Sequence, residues 1–185
     1  MADFLKIAQL GTPCLRERSR PVTSVVGNSI IASLGEQMLA ITQAQAGVGL
    51  AAPQVGVPLR LILVASRPNA RYPQAPDLPP TLMINPRLVW AATEQEQDWE
   101  GCLSVPGLRG RVWRSRAVIV DYLDREGEPQ RQELTGFPAR IVQHELDHLD
   151  GILFVDRLRS DQDCFTEAEY QQLLQAPDQA PLGEH

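Results

Sequence analysis

Apolar residues recur at helical spacing in one early stretch of the chain: Ile31, Leu34, Met38 and Ile41, preceded by Asn28 and Ser29. This predicts a helix over 29–45, capped by Asn28 or Ser29 and ended at Gly47 and Gly49. A second helical stretch, Phe137–Asp150, has Pro138 at its first turn and Gly151 just past its end. Leu59–Ala65, Leu82–Ala92 and Ala117–Leu123 are rich in Leu, Ile and Val and read as strands. Asp124–Gly127 reads as a turn that returns Gln130–Leu134 as an antiparallel partner. Residues 5–27, with Pro13 and Pro21, read as extended and irregular, and 94–100 as an acidic, strand-breaking run. Residues 66–80 hold five prolines and read as a surface loop. These elements predict an α+β fold, with antiparallel strands packed around a central helix.

Composition narrows this only a little. A chain of 185 residues, 43% hydrophobic and 22% charged, is the size of one ordinary globular domain. The net charge of −6 is unevenly placed. Asp161, Asp163, Glu167, Glu169, Asp178 and Glu184 lie in residues 160–185, which contain no Lys or Arg, so the body 1–159 is neutral. That predicts a catalytic domain over 1–159 and an acidic C-terminal tail over 160–185, disordered from about Pro177. A neutral body with an acidic tail offers no electrostatic footprint for nucleic acid or an anionic membrane. Three widely spaced cysteines, Cys14, Cys102 and Cys164, fit a reducing cytoplasm better than a disulfide framework. The first residues lack the pattern of a signal peptide, and no uncharged stretch reads as a membrane span.

The chemistry concentrates in His144-Glu145-Leu146-Asp147-His148. Two histidines at i and i+4 on a helix point the same way and can share one metal ion, and the Glu beside the first can act as general base toward water. A shuffled chain of this composition would contain the pattern only about 0.002 times, so abundance does not explain it. At about 100° per residue, Phe137, Ile141, His144, Glu145 and His148 share one helix face, while Val142, Leu146 and Leu149 form an apolar one. A catalytic site of this type wants a third protein ligand and an open position. The extended protease pattern would place a His at 154, where the chain has Phe154. The third ligand is therefore a Cys or a carboxylate from elsewhere.

Cys102, within Glu100-Gly101-Cys102-Leu103-Ser104, is the best candidate, since a thiolate is a strong soft ligand. The plain alternative is a buried free thiol. Gly47-Val48-Gly49-Leu50-Ala51-Ala52-Pro53-Gln54 is a third notable segment. Its glycines permit close backbone approach, and Gln54 could aim an amide at a developing oxyanion. It also reads as a tight helix-to-strand connection.

Together these three segments, in this order, resemble the peptide deformylase family, and the resemblance extends across about residues 5–158. It implies removal of the N-formyl group from formyl-methionyl nascent peptides, with release of formate. It also implies Cys102, His144 and His148 as ligands of one divalent metal, Fe2+ in the cell, with Zn2+, Ni2+ or Co2+ as other occupants. Glu145 would move the proton, and the Gln54 side chain and Leu103 backbone N–H would stabilise the oxyanion. Segments at Val48-Gly49 and near Gly107 would pair strand-like with the peptide backbone, Glu100 would be a further substrate-binding residue, and Val48, Phe137 and Ile141 would line a methionine pocket with Arg140 outside it. Ser104–Gly110 and Gly136–Ile141 resemble the branch that includes organellar enzymes, and the missing transit peptide favours a bacterial, cytoplasmic protein. Ribosome proximity follows from the substrate, but the acidic tail argues against docking through a basic C-terminal helix.

Arg109, Arg111, Arg114 and Arg116 alternate and read first as a solvated strand face. The alternative is an Arg114–Asp147 pair that steadies the metal helix. Cys14 and Cys164 are expected not to be ligands. Two other functions compete with a deformylase. One is a peptidase cutting ordinary peptide bonds, which lacks support from a third His. The other is a non-catalytic metal-stabilised domain, which would need neither Glu145 nor Gln54.

Overall fold

A computed structural model describes residues 5–69 and 71–175 of the chain. Among them are three α-helices and two antiparallel sheets. Helix α1 spans Ser29–Ala44. Asn28 caps it as expected, its side-chain oxygen accepting the Ile30 and Ile31 N–H groups at 3.1 and 3.3 Å. The larger sheet has the order β1 (Gly49–Ala51), β2 (Leu61–Ser66), β3 (Leu78–Ala91), β6 (Ala117–Leu123), β7 (Pro129–Thr135). The smaller sheet has the order β4 (Gln95–Cys102), β5 (Val105–Ser115), β8 (Cys164–Thr166). Helix α2 spans Gly136–Leu149 and α3 spans Glu167–Gln175.

The central strands are covered on both faces, which is why β2 reads as an unbroken apolar run. Ile62 and Val64 pack with Val142, Leu146 and Leu149 of α2. Leu61 and Leu63 point the other way and pack with Ile31, Leu34 and Met38 of α1. The alternation of β2 thus serves two cores at once, each buried Leu or Ile contributing about 1.5–3 kcal/mol. A third cluster, Leu15, Cys102, Val105, Val112, Leu153 and Phe154, joins the smaller sheet to the segment after α2.

The expected strand-breaking run 94–100 is instead strand β4, paired with β5 in a hairpin with Glu100 opposite Gly110 and Cys102 opposite Val105. Among the described residues β4 is an edge strand that pairs only with β5, so most of its polar side chains can face water without cost. The N-terminal stretch ties the site region together: the Ala8 N–H donates to the Gln54 carbonyl and the Leu10 N–H to the Ser104 carbonyl, each at 2.7 Å. Residues 160–175 form a short turn, β8 and α3, with β8 pairing Leu108–Gly110 of β5. The expectation of disorder from Pro177 lies outside the described residues. None of the described helices is long and apolar enough to cross a membrane.

Candidate metal centre and substrate cleft

Helix α2 and the β4–β5 hairpin meet at three side chains. His144 and His148 lie one turn apart on α2, with ring centroids 5.0 Å apart. Cys102, the last residue of β4, places its Sγ 3.2 Å from His148 Nε2. One ligand atom from each of Cys102, His144 and His148 lies within 4.8 Å of the others. The residues expected to hold a metal are therefore brought together, across 46 residues of sequence between Cys102 and His148.

The surroundings fix their orientation. His144 Nδ1 lies 2.8 Å from a Glu100 carboxylate oxygen, which leaves its other nitrogen for the triad. Glu100 is buried and also accepts from Arg114 at 2.9 and 3.0 Å and from Arg140 at 3.0 Å. Arg114 donates a further bond to Asp147 at 2.6 Å, and Arg157 clasps the same carboxylate at 2.6 and 3.0 Å. Burial alone would raise the Glu100 carboxyl, but hydrogen bonds from His144 and Arg114 hold it well below the usual carboxylate range. Burial likewise opposes charge on Cys102, yet the two imidazoles beside it hold its thiol well below the ordinary value. His144 moves the other way: burial lowers it, and bonding to Cys102 and Glu100 raises it well above the ordinary imidazole.

Glu145 stands apart from this network. It is buried, and its Oε2 has no hydrogen-bond partner among the described residues. Burial pushes its carboxyl up to about 7, against the opposing pull of His144 and His148. Gly49 makes room for it, since a Cβ there would sit 2.4 Å from Glu145 Oε1. Gln54 is held at both ends of its amide. Its oxygen accepts the Ala51 N–H at 2.8 Å, which turns its NH2 toward Ser104 Oγ at 3.2 Å and Cys102 Sγ at 3.4 Å.

A cleft opens on this cluster. Val48, Gly49, Glu100, Phe137 and Ile141 line it, together with Gln54, Leu103, His144 and Glu145. Gly107 does not; it is exposed in β5 with φ 79°. Arg140 also lines the cleft, with its guanidinium spent on Glu100 and on the carbonyls of Glu96 and Val112. Sequence reasoning missed Arg71, Tyr72 and Trp99 in the wall. The first two belong to the proline-rich stretch read as a surface loop, and proline spacing carries no sign of what a loop covers. The solvated-face reading of the β5 arginines fails for Arg109 and Arg114, which are buried, and the Arg114–Asp147 pair is formed.

The donor set suits a metal of intermediate softness: one thiolate, two imidazoles and an open side facing the cleft. The buried, unpartnered Glu145 oxygen and the carboxylate-oriented His144 fit a hydrolytic centre better than a purely structural one.

The polypeptide deformylase family model matches residues 4–163. The chain belongs to the peptide deformylase family. Among curated deformylases, peptide deformylase 2 of Nostoc sp. is 51% identical over 172 residues, covering 93% of this chain and 96% of the relative. Peptide deformylase 1 of Prochlorococcus marinus is 48% identical over 154 residues, covering 83% and 80%. A class I type b peptide deformylase from Acinetobacter baumannii, solved with Met-Ala-Ser bound, superposes with a TM-score of 0.83. It is 45% identical and covers 85% of this chain and 100% of its own. As a deformylase, the chain is a metal-dependent hydrolase that removes the N-formyl group from nascent polypeptides.

Proposed function

We propose that Cys102, His144 and His148 hold a divalent cation, Fe2+ in the cell, with Zn2+, Ni2+ and Co2+ as other occupants. The convergence of these three residues beside the buried, unpartnered Glu145 is the observation that carries this reading. A cation bound there supplies Lewis acidity that polarises the formyl carbonyl and acidifies water.

The chain's own residues supply the rest. Water adds its oxygen to the formyl carbon and the C–N bond breaks, so one proton must travel from water to the leaving amine. Glu145, with a carboxyl near neutrality, can accept that proton and then donate it. Charge builds on the formyl oxygen meanwhile. The Gln54 NH2, turned inward by its bond from Ala51, and the Leu103 backbone N–H stabilise it, each worth roughly 3–4 kcal/mol. Glu100 keeps His144 in its ligating orientation.

Phe137, Ile141 and Val48 take the methionine side chain. Gly49, which lines the cleft, pairs with the peptide backbone. This substrate assignment draws on the Met-Ala-Ser found in the Acinetobacter relative. Helix α2 is the central helix of the catalytic unit, which we take as residues 1–159, with 160–185 as an appended acidic segment. Nascent formyl-methionyl chains place the enzyme in the cytoplasm near the ribosome, without docking by a basic C-terminal helix.

Formate release from formyl-Met-Ala-Ser by protein purified without oxygen tests the reading. Formate is expected in proportion to bound metal. Free amino acids in place of formate would mean a peptidase, and neither product from fully metallated protein would mean a binding domain.

A further inference from the structure

The acidic C-terminal segment reaches the substrate cleft. Glu167, the first residue of α3, receives a two-pronged bond from Arg109, with Nε to Oε2 at 2.7 Å and Nη2 to Oε1 at 3.4 Å. Arg109 is only 4% exposed, so this carboxylate is its main compensation for leaving water. The guanidinium lies between two phenol rings, 4.9 Å from the Tyr170 centroid and 5.9 Å from that of Tyr72. It also presses on the ligand-bearing strand: a Cβ on Gly101 would sit 2.6 Å from Arg109 Nη1. Tyr72 in turn packs on Phe137 at 5.4 Å. A second route runs from Tyr170 directly to Trp99, edge-on at 4.8 Å. Tyr72, Trp99, Gly101 and Phe137 all line the cleft.

Two separate contacts therefore run from α3 to the cleft wall. The family match ends at residue 163, and β8 begins at Cys164. The elements making these contacts lie beyond the matched region.

We propose that Glu167 and Tyr170 are positioning residues for substrate, holding Arg109 and Trp99 so that Tyr72 and Trp99 form a fixed outer wall of the cleft. The inference rests on the deformylase reading and adds a role for the C-terminal segment in it. Without Glu167, Arg109 has no carboxylate partner and must turn toward water, and Tyr72 loses the cation packed beside it. The wall loosens and peptide binds less tightly. Among the described residues, no hydrogen bond or ion pair joins Glu167 to Glu145, Gln54 or the three ligands, so the chemical step is spared.

The test is formate release from formyl-Met-Ala-Ser by full-length, metal-loaded protein. For Glu167→Ala, KM is expected to rise roughly fivefold with kcat within about twofold of the parent. Glu167→Gln keeps one acceptor oxygen and is expected to fall between the two. Glu167→Ala combined with Tyr72→Ala is expected to have the KM of Tyr72→Ala alone, because both break one path. An unchanged KM in Glu167→Ala would overturn the proposal, and so would fully additive KM effects in the double variant. A fall in kcat that tracks melting temperature would overturn it too, since it would mark a purely structural contact. Absence of formate from the parent protein would instead overturn the deformylase reading, and the positioning role with it.

Discussion

Gly49 and Glu145 are so close that one methyl group would displace the buried Glu145 carboxylate from its place beside the cleft. A Cβ at Gly49 would meet Glu145 Oε1 at 2.4 Å and Ile141 Cγ2 at 2.9 Å. Gly49→Ala is expected to keep the fold and its metal while lowering formate release by roughly a hundredfold, because the carboxylate proposed to carry the proton is moved off its line. Metal content and activity measured on one sample check this; full activity would mean that Glu145 is not held against Gly49. At this scale the sequence was most informative. His144, Glu145 and His148 announce themselves by spacing alone. Cys102 and Gln54 needed the resemblance, because a lone Cys and a lone Gln look the same whether they are functional or not. The partners of Glu100 were not legible: its bonds to Arg114, Arg140 and His144 span 14, 40 and 44 residues of sequence.

Among the elements, α2 is held to the smaller sheet by Arg140 together with Gln143, His144 and Asp147. The Arg140 guanidinium reaches the carbonyls of Val112 and Glu96 at 2.8 Å and the Glu100 carboxylate at 3.0 Å. Truncation would leave the buried Val112 carbonyl and the buried Glu100 carboxylate short of a partner, and free the Glu96 carbonyl. Arg140→Leu is expected to cost about 3–5 kcal/mol in urea unfolding of the metal-free protein. A loss below about 1 kcal/mol would show that Arg114 alone satisfies Glu100. Long, periodic elements such as α1, β2 and β6 were readable because each buries a regular face. β4 was not, because an edge strand exposes polar side chains and so lacks an apolar run. β5 was readable as a strand from its alternating arginines, but the burial of two of them against carboxylates supplied by β4, α2 and α3 was not.

Across the molecule, the N-terminal stretch and the turn after α2 are clasped by Arg16 and Asp156, both partly exposed. Burial raises the Asp156 carboxyl, but the bonds from Arg16 and the Leu153 N–H together outweigh it and hold the group below its ordinary 3.8. A carboxyl lowered by folding adds stability that is complete above its unfolded value and is lost as pH falls through the lowered one. Asp156→Asn should therefore melt below the parent at about pH 6 and converge with it near about pH 2. A difference that persists unchanged at acid pH would assign the effect to shape rather than charge. The α+β class and the antiparallel order of β6 and β7 were legible from patterning. The docking of α3 onto the cleft was not, because six acids without a base read as a solvated tail until Arg109 is seen opposite Glu167.

The central claim is that Glu145 moves the proton while Cys102, His144 and His148 hold the metal. Its most direct test measures metal content and formate release together on Glu145→Gln, prepared without oxygen beside the parent. Glu145→Gln is expected to keep full metal occupancy while its formate release falls by about a hundredfold or more. Parent-like formate release from the fully occupied variant would contradict the claim.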